Sequence, residues 1–333
     1  MRSNTLPYLL RTFEPILSRP GVEEIAMQEP GVAWVWQAGK FHRVEIAFDA
    51  HDIEDLATVA AAQRKLEVGE HDPLLGVEIS DRLRLQIVLP PCTRTGKPAM
   101  VIRQGSEVLP TLVQLNEQGY FRKMRPQGHG LSAVDRELLE LYRAEQWLPF
   151  MELCARAKKT TVTCGETGSG KTHFGKARID AIPKDTRLIL MADTDEHASI
   201  EHPNKVDMFW GKSGVRALQI AEAALRMRIG VPVLGEIRDG EAALAFVSLS
   251  LSGHPGGVTT MHAPNCRAAK RTLKMRIKQT EEGRALNDDD IIPMLDDVID
   301  VIVHCYRNDD PETGTTEYGL DDIWFAPAER AAS

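Results

Sequence analysis

The sequence predicts an α/β protein in two parts, a smaller α+β domain followed by a larger one built on a mainly parallel, helix-covered sheet. Three observations carry this. The second half alternates short β-rich runs with helical stretches, as crossover-connected parallel strands do. A glycine-rich loop stands between one of those runs and a helix-compatible stretch. A charged segment bearing proline and glycine then separates this half from a first half whose strands alternate as in antiparallel pairs. With 333 residues, each part is long enough to bury its own core.

Taken in order, "LPYLLRTFEPIL" reads as a short helix after Thr5, "GVAWVWQAGKFHRVEI" as a hairpin turning at "AGK", and "IEDLATVAAAQRK" as a helix. "RLRLQIVLPP" and "PAMVIRQ" are alternating or β-branched, with prolines closing the first. This places an N-terminal α+β domain at residues 1–121. The segment "FRKMRPQGHGLSAVDREL" holds Pro126, Gly128 and Gly130 and supplies a linker at 122–135, leaving 136–333 for the second domain. In that domain "TTVTC", "RLILMA", "VPVLGEI" and "GGVTTMH" read as strands, and "VRALQIAEAALRMR" as a helix. The C-terminal "RNDDPETGTTEYGLDDIWFAPAERAAS" is polar with a late apolar patch, and reads either as a docking strand or as a disordered tail.

Composition excludes several classes. Lys and Arg number 40 against 48 Asp and Glu, a net charge of −8, so no global basic field holds a polyphosphate strand and direct nucleic-acid binding is not expected. The 5 cysteines form no CxxC pair, which argues against a zinc knuckle or a disulfide framework and for a reducing compartment. No apolar run approaches the roughly 20 residues that cross a bilayer, and "MRSNTLPYLLRTFEP" has no apolar core with a cleavage site. The expected location is the cytoplasm.

The stretch "CGETGSGKTH" carries the chemistry. Gly165 to Thr172 satisfies G-x-x-x-x-G-K-[ST], preceded by the β-branched "TTVTC" and followed by "KTHFGKARIDAI". Glycines let the loop wrap a phosphate with backbone N–H groups. Lys171 would reach the β- and γ-phosphates, the Thr172 hydroxyl would ligate Mg²⁺, and the helix would turn its positive end to the anion. Gly165, Glu166, Thr167, Gly168, Ser169, Gly170, Lys171, Thr172 and His173 are the expected nucleotide-binding residues. In open α/β sheets ligands sit at the carboxyl ends of strands, where Asp193, Asp195 and Glu196 follow one apolar run and Glu236 ends another. Such carboxylates hold Mg²⁺ or orient water, although either site alone reads more readily as a solvated turn. His254 and His262 flank a glycine-rich turn and a β-run; spacing does not decide between a phosphate sensor, a subunit bridge and a structural hydrogen-bonder.

The succession "GETGSGKT", "ADTDE", "RMRIGVPVLGEIRDGEA" and "SGHPGGVTTMHA" resembles the type II/type IV secretion ATPase superfamily, with its Walker A loop, Asp box, Walker B box and His box. "PLLG", "RLRLQIVLPP" and "VIR" extend the likeness to the N-terminal domain of the hexameric ATPase of type IV secretion and conjugative transfer, so the resemblance covers most of residues 5–305. It implies a RecA-like P-loop NTPase as the C-terminal domain, a ring of six subunits, and nucleotide at the junction of the two domains. Glu196 matches the acid closing the Asp box and Glu236 the Walker B glutamate, both candidates to orient water, with Glu236 also near Mg²⁺. Arg238 lies in the Walker B box. His254 and His262 match the His box, implied to meet the nucleotide and couple its state to the neighbouring subunit. Arg103 in "VIRQ" matches an N-terminal arginine that could approach the phosphates, and Arg84 is a weaker candidate. Either could instead be a surface salt bridge.

The departures are specific. Ala192 stands where the Asp box usually has a glutamate, and Ile229-Gly230-Val231 where the family commonly reads Pro-Asp-Arg; Gln28 replaces a usual asparagine with no mechanistic consequence expected. The four-cysteine element of many type II members is missing, which favours the type IV branch. The resemblance implies Mg²⁺-dependent ATP hydrolysis by a hexameric motor for substrate translocation or pilus assembly, peripheral at the inner membrane through partner secretion proteins. Two readings of other classes stand beside it: a RecA-type nucleic-acid motor, and an ATP-binding assembly scaffold with little turnover.

Overall fold

Six strands between Val22 and Gln104 pair antiparallel into one sheet, and seven between Thr161 and Phe325 into another. The computed structural model describes residues 6–105, 110–124 and 130–332. The first sheet comprises β1 (Val22–Glu29), β2 (Val32–Gln37), β3 (Lys40–Glu45), β4 (Leu74–Glu78), β5 (Leu83–Val88) and β6 (Ala99–Gln104), in the order β3-β2-β1-β6-β5-β4. The expected hairpin is β2–β3, turning through Ala38 and Gly39, which both have positive φ. The helix Ala50–Gln63 starts at a capping box between Asp49 and Asp52 and buries Ile53, Leu56, Ala57 and Ala60 with Ile25, Met27 and Ile87 of the sheet. "LPYLLRTFEPIL" forms two short helices, Leu6–Leu10 and Glu14–Leu17, rather than one.

The second sheet comprises β7 (Thr161–Gly165), β8 (Leu188–Ala192), β9 (Lys205–Phe209), β10 (Val231–Ile237), β11 (Val258–His262), β12 (Val301–Asp309) and β13 (Thr316–Phe325), in the order β13-β12-β7-β11-β10-β8-β9. Neighbours from β9 to β12 run parallel, and β13 closes the edge as an antiparallel partner of β12. Both faces of the central strands are covered, so β7, β8, β10 and β11 are buried nearly throughout rather than alternating. Leu188 and Leu190 pack with Ile179 and Ile182 on one side, while Ile189 and Met191 join the main core with the helices Ala217–Leu225, Gly240–Leu251 and Cys266–Ile277. The C-terminal stretch is a docked strand and helix, not a tail: β13 leads into Ala326–Ala332.

Between the sheets, the linker predicted at 122–135 already begins a helix at Ala133, capped by the Ser132 hydroxyl. Pro126 and Gly128, which motivated that linker, lie outside the described residues. The helices Ala133–Arg143 and Trp147–Arg156 pack Leu138, Phe150 and Cys154 against Val301, Val303 and Phe325, so they belong to the second sheet. All five cysteines are buried and unpaired. Among the described residues, no helix is long and apolar enough to cross a membrane.

Candidate active site at the strand carboxyl ends

Strand order lines up the residues that the motifs single out. Along β7-β11-β10-β8, Gly165 pairs with His262, Glu236 with Thr260, and Leu234 with Met191 just before Asp193. Parallel neighbours lie about 4.8 Å apart, so the P-loop, the His box, the Walker B glutamate and the Asp box form one row at the carboxyl edge. Gly235 sits in a register shift of β10 against β11, where an extra residue re-aims the side chain that follows, Glu236.

The loop has the shape of a phosphate cradle. A Cβ on Gly165, at φ 153°, would lie 2.3 Å from the Cys305 carbonyl oxygen, so only glycine fits where β7 turns away from β12. Gly170 caps the helix Lys171–Asp180 in the left-handed region, with no side chain capping the free N–H groups. Ser169 Oγ is buried and finds no partner among the described residues. Glu166, Thr167 and Gly168 are exposed on the outside of the loop, and His173 is exposed on the first helical turn. These features fit a bound phosphate chain.

Lys171 is folded over the loop. Its Nζ donates to the Glu166 carbonyl at 2.6 Å and lies 3.4 Å from His262 Nδ1. Burial holds its pKa below the ordinary lysine value, opposed by the Glu236 carboxylate. His262 Nε2 is 2.9 Å from Glu236 Oε1. An ammonium facing Nδ1 needs an acceptor there, which assigns the proton to Nε2, facing the carboxylate. The other oxygen of Glu236 accepts from Arg238 Nε at 2.7 Å, and Arg238 also donates to Asp193 at 3.0 Å and to Glu196 at 2.8 Å. One guanidinium thus gathers three carboxylates, and its pKa is raised first by the hydrogen bond to Glu236.

Thr172 is exposed on the loop helix and shares a small cleft with Glu196, Gly235 and Thr260. Among the described residues no group of three or more His, Cys, Asp or Glu side chains is arranged to hold a metal. This fits Mg²⁺, which is bound by one or two protein ligands plus phosphates rather than by a protein cage.

Two expected site residues lie elsewhere. Arg103 and His254 line a cavity of about 790 Å³ together with Lys158, Arg187 and Gly230, which precede β7, β8 and β10. That is the amino edge of the sheet, a five-residue strand of about 16 Å away from the loop. His254 is in the turn before β11 whereas His262 ends it, so the two histidines of one box occupy opposite edges. Burial also lowers the His254 pKa. Within this chain neither residue meets the P-loop. Arg84 is paired with Glu78 at 3.3 Å, the surface bridge that was its alternative.

The sequence reading missed Arg307 and Tyr318, which approach Gly168 and Gly170 from the β12–β13 hairpin. No local motif marks them; the hairpin brings them there. Ala192, the Asp-box departure, is buried where β8 faces Gly235, so a carboxylate there would be desolvated.

Comparison with known proteins shows the family. The family model for type II/IV secretion system proteins matches residues 14–327. The chain belongs to that family. It is 36% identical over 333 residues to the protein VirB11 of Agrobacterium fabrum, covering 98% of this chain and 94% of the relative. To the type IV secretion system protein VirB11 of Brucella suis it is 30% identical over 339 residues, covering 99% and 93%. The crystal structure of the VirB11 ATPase from the Brucella suis type IV secretion system, in complex with sulphate, superposes with a TM-score of 0.91 at 30% identity, over 99% of this chain and 97% of that one. The assignment to the secretion ATPases, with a P-loop C-terminal fold, is borne out.

Proposed function

We propose that this secretion ATPase hydrolyses Mg²⁺-ATP at the row of strand carboxyl ends, with Glu236 orienting the attacking water. The observation that carries it is the continuous contact chain from Lys171 through His262 and Glu236 to Arg238. Lys171 meets the β- and γ-phosphates, leaving its bond to the Glu166 carbonyl, and the helix N-terminus at Gly170 receives the anion. Thr172 and Glu236 would hold Mg²⁺, which would supply neutralisation of phosphate charge. Arg238 holds Glu236 Oε2, which leaves the buried Oε1, near His262 and without a hydrogen-bond partner among the described residues, as the oxygen that would orient water. Glu196 and Asp193 act through Arg238, keeping that guanidinium from the phosphates in the nucleotide-free state.

The motor reading goes with a division of labour between residues 1–121 and 136–333, joined through 122–135, in a homo-oligomeric ring of six copies, as the resemblance implies, assembled on inner-membrane secretion partners at the cytoplasmic face. Loss of the γ-phosphate would release contacts at the carboxyl edge, and the chain would convert that into domain movement. Glu236→Gln tests the assignment against Lys171→Ala. The glutamine variant should bind ATP as wild type does while turnover falls by about 10²-fold; the alanine variant should lose both. Wild-type turnover in Glu236→Gln would refute the role given to this carboxylate.

A further inference from the structure

The loop between β5 and β6 crosses from the first sheet to the outer edge of the second. Cys92 carbonyl accepts from Phe209 N at 2.8 Å, extending the edge strand β9. Two residues on, Arg94 Nη2 donates to Asp195 at 2.8 Å, and its Nε lies 3.2 Å from Asp207 Oδ2. Asp195 is in the same short turn as Asp193 and Glu196. That turn is internally bonded: Glu196 N donates to the Thr194 carbonyl at 2.8 Å, and the Thr194 hydroxyl reaches Asp193 at 3.2 Å and Glu196 at 3.4 Å. Of its three carboxylates, two face Arg238 and the third faces Arg94.

We propose that Arg94 is a positioning residue for hydrolysis: by holding Asp195 it fixes the Asp193–Glu196 turn, on which Arg238 and through it the orientation of Glu236 depend. The inference rests on the reading of Glu236 given above. The electrostatics support it. Three carboxylates in four residues repel one another unless cations sit on both sides. Asp207, largely buried, adds a further negative charge next to Asp195, and its pKa is raised by burial with Asp195 contributing. Without Arg94, Lys205 at 3.8 Å would still face Asp207, but Asp195 would lose its cation and be pushed from Asp207. The turn would shift, and Arg238 with it. The first sheet therefore holds one end of a chain of contacts whose other end is the P-loop lysine.

Steady-state ATP hydrolysis by the full chain tests this, using Arg94→Ala, Arg94→Lys, Asp195→Asn and the double variant Arg94→Ala/Asp195→Asn, with Glu236→Gln as reference. Displacing a group that orients the reaction should lower kcat about 10-fold in Arg94→Ala and in Asp195→Asn, with KM for ATP changed less than about 3-fold. Arg94→Lys should recover most of the loss, and the double variant should be no slower than Arg94→Ala, because both act through one contact. Wild-type kcat in Arg94→Ala, losses that multiply in the double variant, or an effect confined to KM would overturn the proposal. Should Arg94→Ala fail to fold, Asp195→Asn decides alone: it keeps the Arg94–Asp207 pair, and wild-type kcat there would overturn the proposal equally. Full turnover in Glu236→Gln would sink the underlying reading instead, a result distinct from an inactive Glu236→Gln beside unaffected Arg94 variants.

Discussion

Arg238 shows how one side chain can organise a site: it bridges Asp193, Glu196 and Glu236. Replacing it by alanine leaves three facing carboxylates without their shared cation, so turnover should drop at least about 10-fold while ATP binding persists; unchanged turnover would show that Glu236 is oriented without it. His197, in the same loop region, makes a pH prediction. Burial pushes its pKa down to about 4 from an ordinary 6.5. Between these values the unfolded chain binds more protons than the folded one, so stability is full above pH 6.5 and is lost as pH falls toward 4. The shift corresponds to about 3 kcal/mol. Urea unfolding across that window should show a fall that His197→Asn flattens, and an equal slope in both proteins would remove His197 as its source.

At the level of elements, the P-loop depends on a backbone that side chains cannot share. Gly165→Ala places a Cβ against the Cys305 carbonyl at a φ only glycine adopts readily, so ATP binding should weaken strongly and Tm should fall; wild-type binding would mean that β12 yields at no cost. The parallel strands β7, β8, β10 and β11 were legible because each is a short apolar run between helical stretches, and the loop because its motif is local. Other strands were not. β1, "VEEIAMQE", carries three acidic residues, and β9, "KVDMF", has Lys205 and Asp207 among its five, so neither has the pattern of a core strand, although β9 pairs with β8 without a shift and β1 pairs with β2 through two register shifts. The register shift at Gly235 was visible only as a glycine inside an apolar run, which marks a bulge without giving its direction.

On the scale of the whole molecule, what the sequence could not convey is which residues meet across the two sheets. The resemblance lists Arg103 and His254 with the nucleotide residues, but within this chain both line the cavity at the amino edge of the second sheet. Gln28, expected to have no consequence, joins the sheets: it donates to Asn204 at 3.0 Å and accepts from the wholly buried Arg187 at 2.7 Å. Gln28→Ala leaves a donor of Arg187 unpaired in the interior and should cost about 1–3 kcal/mol, read as a lower urea midpoint with an unchanged slope; an unaltered midpoint would show that the junction does not rely on it. Arg94 is likewise silent in the sequence, since its partners are about a hundred residues away. The central claim is that the aligned carboxyl edge hydrolyses ATP, and phosphate release by the wild-type chain with Mg²⁺-ATP across protein concentrations tests it most directly. The account predicts turnover that rises with assembly and is absent in Lys171→Ala at every concentration. Tight ATP binding with no turnover at any concentration would contradict it.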